Sequence, residues 1–350
     1  MVRKMIKIDN SLWMIVSSAN LDFLVRVDIY KKKTICEYLF EESMYGKNAI
    51  SDMIYVSDHL VFAPQESNKI YIYSLRDKTM KKIRLRDMLK DDCPHAYRFF
   101  TNTCIYKDYA VLIPHKYSSI VMVNPVTCNL EYIDNYYNDV LSVHDVKCGI
   151  FERGRYVNGS MYLLCSGSNH ICIYNIEERN FKLVTIGEKD VRLCDICYGN
   201  DCFWITDNKG RILKWDKSNN TFRCVFSYSQ EKIEKEVTNN DVWDRSLLVD
   251  NEHMWIFDFL YPIIRLNMEN LTYEIIRRED GIINHVSDQH GFNYTCTVKD
   301  EQNFYTVQQW KNEIVKFDAY TTKEKESYSL NSSDDVLLEA YINSIVHMGE

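Results

Sequence analysis

Residues 59–85 read HLVFAPQESNKIYIYSLRDKTMKKIRL, which contains three short apolar runs separated by two polar turns. Runs rich in β-branched and aromatic residues, bounded by Asn, Asp, Ser and Pro, are typical of strands joined by tight turns. The middle run, IYIYS, has six echoes along the chain, and each of them ends in Asp or Asn. The seven closing residues are Asp28, Ser74, Asn124, Asn175, Asp216, Asn267 and Asp318.

The closing residues are 41 to 51 residues apart, and the repeat runs almost from end to end of the chain. In the second repeat we assign strands to 52–56, 60–63, 70–73 and 80–85, so each repeat holds four strands. One small sheet cannot cover both of its faces, so repeats of this kind stack on one another. The sequence therefore predicts an all-β fold, a seven-bladed β-propeller of four-stranded antiparallel blades with a short C-terminal helix.

Aromatic residues at strand positions are expected to fill the space between blades. They are Tyr55, Phe62, Tyr71, Phe203, Trp204, Trp215, Trp255, Phe304 and Phe317. We predict one propeller domain of seven repeats over residues 1–330 and a helical tail over 331–350. The tail carries an apolar stripe at helical spacing, formed by Leu337, Leu338, Tyr341, Ile342, Ile345 and Val346.

The strand-three pattern, apolar-x-x-apolar-Asp/Asn, resembles that of bacterial propellers in the broad class of streptogramin lyases and cytochrome-like surface propellers. The resemblance covers roughly residues 8 to 330 and implies the propeller fold. A WD40-like strand end occurs at Trp215-Asp216, without the Gly-His of that family, and the paired glycines of kelch repeats are absent. The lyase motif Asp-Gly-x-Leu-Trp-Phe is kept only in part at 200–205 and 251–256, so the resemblance assigns no catalytic residue.

The chain is acidic, with 42 Lys and Arg against 50 Asp and Glu. Affinity for a phosphate backbone comes from clustered basic residues, so nucleic acid is not an expected partner. No apolar run approaches the length of a membrane span, and the run at 11–16 is too short for a secretory signal. Several of the twelve cysteines lie in apolar strand runs, so we expect free thiols and a cytoplasmic protein.

In a four-stranded meander, the turns between strands two and three emerge at the same end as the connectors between blades. These loops hold six of the nine histidines, which indicates a recognition surface, although long loops also collect His and Tyr for no functional reason. The candidate ligand-binding residues in the turns are His115, Lys116, Tyr117, His170, Tyr261, Gln309 and Trp310. Those in the connectors are Tyr97, Arg98, Arg245, His285 and His290.

Three patterns in the sequence contain residue types that can bind metal ions. Cys194-Asp-Ile-Cys197 is a CxxC without further ligands at zinc spacing, and its two thiols point to opposite faces of a strand. The loop from His285 to His290 is more typical of a polar connector than of a site completed by His95 or His144. Carboxylates near the starts of innermost strands are compatible with a cation site, but channel residues in contact with solvent are the favoured interpretation. These carboxylates are Asp52, Asp195 and Asp244.

The chain lacks the nucleophile elbow, the P-loop and the dinucleotide fingerprint. The sequence therefore favours a non-catalytic binding or scaffolding module for a protein segment or a small polar ligand, with no cofactor expected. The alternative is a lyase or hydrolase that uses a His as acid and base at the axial mouth. The two differ in one observation, because an enzyme requires a His and a carboxylate that converge in a concave pocket.

Overall fold

The structure is a computed structural model. It describes residues 2–18, 21–45, 49–87, 99–142, 149–227, 246–249, 252–257, 263–276, 294–300, 302–308, 313–319, 321 and 324–330. Within these residues, 28 strands form seven four-stranded antiparallel sheets, and every sheet is built from four strands that are consecutive in the chain. The chain is therefore a seven-bladed β-propeller, as the repeat predicts.

Blades 1 to 4 contain the first sixteen strands. Blade 1 has β1 (Val2–Ile8), β2 (Ser11–Ser18), β3 (Leu21–Asp28) and β4 (Lys33–Leu39); blade 2 has β5 (Ile50–Val56), β6 (His59–Pro64), β7 (Lys69–Ser74) and β8 (Thr79–Arg84). Blade 3 has β9 (Phe100–Tyr106), β10 (Tyr109–Pro114), β11 (Ile120–Val123) and β12 (Leu130–Ile133); blade 4 has β13 (Phe151–Val157), β14 (Ser160–Cys165), β15 (His170–Asn175) and β16 (Asn180–Thr185). The strands assigned to blade 2 from sequence agree with these bounds to within two residues.

Blades 5 to 7 contain the remaining strands. Blade 5 has β17 (Leu193–Gly199), β18 (Cys202–Asp207), β19 (Arg211–Asp216) and β20 (Thr221–Ser227); blade 6 has β21 (Ser246–Val249), β22 (His253–Phe257), β23 (Ile263–Asn267) and β24 (Tyr273–Ile276). Blade 7 has β25 (Tyr294–Lys299), β26 (Asn303–Gln308), β27 (Glu313–Asp318) and β28 (Glu324–Ser329). A 3-10 helix, Glu41–Tyr45, follows blade 1, and the short helix α1, Tyr137–Ser142, follows blade 3.

The closing residues of the repeat form the turn between the third and fourth strands. The Oδ1 atom of Asn124 accepts hydrogen bonds from the backbone N–H groups of Val126 at 3.1 Å and Thr127 at 3.0 Å. An Asp, Asn or Ser at this place satisfies turn N–H groups that the sheet leaves unpaired, which explains why the repeat ends in these residue types. Equivalent side chain to backbone bonds are made by Asp28, Ser74, Asn175, Asp216, Asn267 and Asp318.

The chain divides into two compact units. One comprises Met1–Ala49, Trp243–Leu248 and His253–Glu350, and the other comprises Ile50–Val242 and Val249–Glu252. The first unit therefore brings blade 1 together with blade 7 and most of blade 6, and the second contains blades 2 to 5. The predicted domain bounds stay a prediction, and residues 331–350 with their predicted helix lie outside the described residues.

In the first unit, blade 1 packs directly on blade 7, because β1 lies beside β25. Val25 of blade 1 shares a buried cluster with Val307 and Ile314 of blade 7. Lys7 Nζ lies 3.9 Å from Asp300 Oδ2 between the two blades. The N-terminal and C-terminal blades thus meet face to face, with each sheet complete in itself.

In the second unit, apolar side chains of each blade interleave with those of the next. Ile72 of blade 2 packs with Val121 of blade 3, and Leu164 of blade 4 packs with Trp215 of blade 5. Each fully buried side chain of this size contributes about 1.5–3 kcal/mol through removal from water. All the predicted interblade aromatics are buried except Tyr55, which is half-buried and donates its hydroxyl to Asp58 Oδ1 at 2.8 Å.

Ten of the cysteines belong to the described residues, and each of these ten is a free thiol. Burial raises the pKa of Cys104 and of Cys165 to about 12, so both thiols are neutral at physiological pH. In the described part of the chain, neither helical segment has the length and apolarity needed to cross a membrane.

Candidate functional site

The loop-rich end of blades 2 to 5 is joined by a series of backbone hydrogen bonds, which we call the backbone belt. In each bond, a connector between blades pairs with a turn between the second and third strands. The six bonds run from Phe99 N to Gln65 O, His115 N to Phe99 O, Ile150 N to His115 O, Ser166 N to Ile150 O, Leu193 N to Ser168 O and Asn208 N to Arg192 O, at 2.5–3.0 Å. The belt satisfies loop backbone groups that no sheet can pair, so it fixes the positions of these loops.

His115 lies at the centre of the belt and is half-buried. Besides its two backbone bonds, its ring Nδ1 lies 3.0 Å from the carbonyl oxygen of Phe151. Gly149 has a φ of +99°, and a Cβ atom there would lie 2.4 Å from the ring of His115. The imidazole therefore occupies space that only a glycine leaves open, and it holds the connector between blades 3 and 4.

The sequence predicts that the ring of Tyr117 is exposed to a ligand, but the structure buries it. Its side chain is 1% exposed and its ring packs on Phe99 and Phe100, with centroids 6.2 Å and 5.2 Å away. The hydroxyl donates a hydrogen bond of 3.0 Å to the carbonyl oxygen of Arg86. Burial raises the pKa of Tyr117 above its usual value, so the hydroxyl stays protonated and remains a donor. Tyr117 is thus a core residue beneath the loop-rich end.

Arg86 completes this arrangement from the connector that leaves blade 2. Its guanidinium stacks on the ring of Tyr132 at 4.4 Å and pairs with Asp134 Oδ2 at 2.8 Å. It also donates a short hydrogen bond to Ser119 Oγ. A planar guanidinium is suited to such combined stacking and pairing, which attaches the connector to blade 3.

Two further predicted residues belong to the described part of the chain. Lys116 is half-buried, and its backbone N–H donates to Phe99 O at 3.2 Å. His170 is half-buried at the start of β15, where its N–H donates to Ser168 Oγ at 3.2 Å. The remaining predicted residues lie outside the described residues: Tyr97, Arg98, Arg245, Tyr261, His285, His290, Gln309 and Trp310.

Each first strand of blades 2 to 5 has a β-bulge near its start. The register shifts at Ser51, Thr101, Glu152 and Cys194, which occupy one position of the repeat. A bulge adds one residue to a strand and re-aims the side chains that follow it. The side chains after the bulge consequently meet between neighbouring blades.

Polar side chains after the bulges form what we call the inner polar cluster: Asp52, Asn102, Thr103, Arg155 and Asp195. Thr103 Oγ1 donates to Asp52 Oδ2 at 2.9 Å, and Asn102 Oδ1 accepts from the backbone N–H of Gly154 at 3.2 Å. Arg155 Nη1 donates to Asn102 Oδ1 at 3.5 Å, and Arg155 Nη2 lies 3.7 Å from Asp195 Oδ1. These contacts link blade 2 to blade 3, blade 3 to blade 4, and blade 4 to blade 5.

The inner polar cluster corrects the expectation that Asp52 and Asp195 contact solvent. Their residues are 3% and 4% exposed, and both carboxylates accept hydrogen bonds within the protein. Asp244 lies outside the described residues. Among the residues that are described, no group of three or more His, Cys, Asp or Glu is arranged to hold a metal ion.

The two cysteines of the CxxC motif also have separate surroundings. Cys197 is buried, and burial raises its pKa, while Cys194 is half-buried at the bulge and directs its Sγ to the Arg192 carbonyl oxygen at 3.6 Å.

Arg155 is the member of the inner polar cluster that reaches solvent, with 34% of its side chain exposed. Its Nη1 atom also donates to the carbonyl oxygen of Gly154 at 3.1 Å, so protein partners hold both Nη atoms of the guanidinium. Sequence reasoning did not find Arg155 or Asn102, because the bulge that aligns them depends on pairing with the next strand. The sequence did carry one signal for the inner polar cluster, because polar residues follow the first one or two residues of each innermost strand.

Comparisons with known proteins agree with the fold. No protein-family model matches the chain, and no curated protein matches it in sequence. A structure of YCF48 bound to D1 peptide is similar with a TM-score of 0.60 and 12% identity, over 87% of each chain. The computationally designed Ika8 protein is similar with a TM-score of 0.58 and 9% identity, over 93% of this chain and 86% of Ika8.

A third similar structure is the extracellular domain of a hybrid two-component system protein from B. thetaiotaomicron. It has a TM-score of 0.56 and 12% identity, over 87% of this chain and 36% of that chain. At these levels of identity, all three likenesses concern the fold alone.

Proposed function

We propose that this chain is a non-catalytic binding module whose loop-rich end holds a segment of a partner protein. The observation that carries the proposal is the backbone belt, which fixes the loops of four blades relative to one another. Lys116 belongs to the blade 3 turn of this frame and is half-buried, and Arg155 of the innermost strand of blade 4 has 34% of its side chain exposed. A surface that is already fixed loses little conformational freedom on binding, so more of the contact energy contributes to affinity.

The similar structure of YCF48 contains a bound peptide, the D1 peptide. That observation describes YCF48, and it supports our proposal only as an example of this fold in complex with a protein segment. We also propose a cytoplasmic location, because the buried thiols of the described strands act as small apolar side chains. The lyase or hydrolase alternative draws no support from His115, whose Nδ1 atom contacts a backbone carbonyl oxygen.

The experiment is affinity capture with the parent chain, followed by calorimetry with the partner that is identified. Tyr261 and Trp310 come from equivalent turns of two blades, and their rings are the predicted contacts. Removal of a central aromatic side chain costs about 2 kcal/mol or more at a binding hot spot. We expect Trp310→Ala and Tyr261→Ala each to raise the Kd about 30-fold with an unchanged melting temperature.

The matched control is Lys182→Ala, an exposed position on the outermost strand β16 of blade 4, where binding should not change. If both aromatic variants bind as the parent does and Lys182→Ala loses binding, the wrong surface has been chosen. Turnover of a substrate that His285→Ala or His290→Ala abolishes would establish the enzyme alternative instead.

A further inference from the structure

The outermost strand of blade 2 differs in charge from every other outermost strand of the seven described sheets. Strand β8 carries Lys81, Lys82 and Arg84 and has no acidic residue, which gives a net charge of +3. The other six outermost strands have net charges between −1 and +1. The turn before β8 adds Arg76 and Lys78 against one carboxylate. We call these five basic residues the basic edge.

All five side chains of the basic edge are exposed. Arg84 lies 3.1 Å from Asp87, but their side chains are 69% and 82% exposed, so water screens this pair strongly. Lys82 Nζ lies over the Tyr71 ring at 6.0 Å, which holds the stem against the sheet and leaves the ammonium group at the surface. The positive charges of the basic edge therefore face solvent and can attract an anionic partner.

Strand β8 also ends its sheet, whose order is β5-β6-β7-β8. Six residues at about 3.3 Å each give an edge about 20 Å long. Along an antiparallel edge, alternate residues direct their N–H and C=O groups away from the sheet. An extended peptide can pair with such groups as a further strand, and its side chains then alternate between the two faces.

We propose that the basic edge binds an extended acidic segment of a partner protein, which adds to blade 2 as a fifth strand. Lys81 and Lys82 lie on opposite faces of β8, because successive strand residues alternate. Acidic side chains on either face of the added strand therefore meet a lysine. This surface is separate from the loop-rich end, so its test does not depend on the proposed function.

Lysine on an edge strand also protects against aggregation, and that role is the main competing explanation. Protection against aggregation does not account for the difference between the blades. The other outermost strands also lie at the edges of their sheets, and they carry no row of basic residues. Nucleic acid is the less suitable polyanion, because the chain as a whole has a net charge of −8 and repels a long charged backbone. A short acidic strand contacts only the basic edge, so the local positive charge determines its attraction.

The experiment uses a fluorescein-labelled peptide in which Glu alternates with Val, with binding followed by fluorescence anisotropy. Two companion peptides replace every Glu with Gln, or place N-methyl groups on alternate backbone nitrogens. We expect the parent to bind the Glu peptide, and each companion to bind at least about tenfold more weakly. Lys81→Glu/Lys82→Glu should weaken the Glu peptide by at least a similar factor, and added salt should weaken it further.

The matched control is Lys182→Glu, because Lys182 opposite Ile173 occupies the same repeat position on β16 as Lys81 opposite Ile72 on β8. This control should bind like the parent, and circular dichroism should show that all variants fold. Equal affinity for the Glu and Gln peptides, or for the N-methylated peptide, would overturn the proposal. The proposal would also be overturned if the double variant bound the Glu peptide as the parent does, whether or not that variant aggregates. Tighter binding of duplex DNA than of the Glu peptide would overturn it as well.

Discussion

The closing residue of a blade should act as a turn cap, and Asn124 offers the clearest test. Its side chain accepts two backbone hydrogen bonds, from Val126 and Thr127, and no acidic residue lies within the turn. Asn124→Ala removes the acceptor and leaves both N–H groups to water. The sheet itself should remain intact, because the ladder of β11 with β10 and β12 uses the backbone.

The expected loss is about 1 kcal/mol. A typical hydrogen bond contributes about 0.5–1.5 kcal/mol net, and water replaces part of it where the turn is exposed. With an unfolding entropy of about 2.1 cal/mol/K per residue, 1 kcal/mol lowers the melting temperature of this chain by only about 1.4 °C. We therefore combine Asn124→Ala with Asn175→Ala and Asn267→Ala in three separate blades, for which losses should add to about 3 kcal/mol and about 4 °C.

Calorimetry and guanidinium unfolding measure these losses. Asn124→Asp and Asn124→Ser are the controls, because Asp and Ser close other blades of the same chain and keep an oxygen acceptor. Both should remain within about 0.5 kcal/mol of the parent. Val126→Ala, at the exposed tip of the same turn, should also have little effect. If Asn124→Asp destabilises as much as Asn124→Ala, or the triple variant melts like the parent, the capping explanation is wrong.

Three further predictions concern the described residues. Gly149→Ala should lower the free energy of unfolding by at least about 1–3 kcal/mol because of its positive φ, and by more because the new Cβ overlaps the His115 ring. Adding His115→Ala to this variant should recover part of the loss. If Gly149→Ala is as stable as the parent, the described geometry is wrong. Burial acts to raise the pKa of Asp300, but backbone N–H donors outweigh it and the pKa lies below its usual range. Its stabilising contribution is thus complete above about pH 4 and is lost as pH falls further, so Asp300→Asn should flatten the acid limb of a stability–pH curve. Iodoacetamide at about pH 8 should leave Cys104 and Cys165 unlabelled in the native protein and label both in denaturant, because burial holds their pKa at about 12; mass measurement without reductant should find no disulfide.

The blade architecture was predictable because the signals for it are local. The pattern apolar-x-x-apolar-Asp/Asn needs only a strand with apolar residues on both faces and a turn that a side chain can cap. Both effects operate within about eight residues, so they can be recognised in the sequence without knowledge of the neighbouring blades. The strand Val2–Ile8 was harder to assign, since Arg3, Lys4 and Lys7 interrupt its apolar character and the blade 7 strand that it packs against is distant in sequence.

The candidate site was less predictable because its geometry depends on contacts between blades. His115 and Tyr117 share one turn, yet one reaches the Phe151 carbonyl oxygen and the other enters the core beneath Arg86. Nothing in the run from 115 to 117 distinguishes these outcomes, because the deciding partners are 31 and 36 residues away. The sequence showed that these residues carry polar groups, but it did not show how deeply each side chain is buried.

Two positions of the repeat differ in how far their chemistry varies from blade to blade. The closing position holds only Asp, Asn or Ser, because it has one structural task in every blade. The position just after the bulge holds Asp52, Asn102, Arg153 and Asp195 in successive blades, which are an acid, an amide, a base and an acid. A position that must only pack would not require three such chemistries. The contacts between blades 2 to 5 are therefore asymmetric despite the repeated backbone, because different polar groups join each blade to the next.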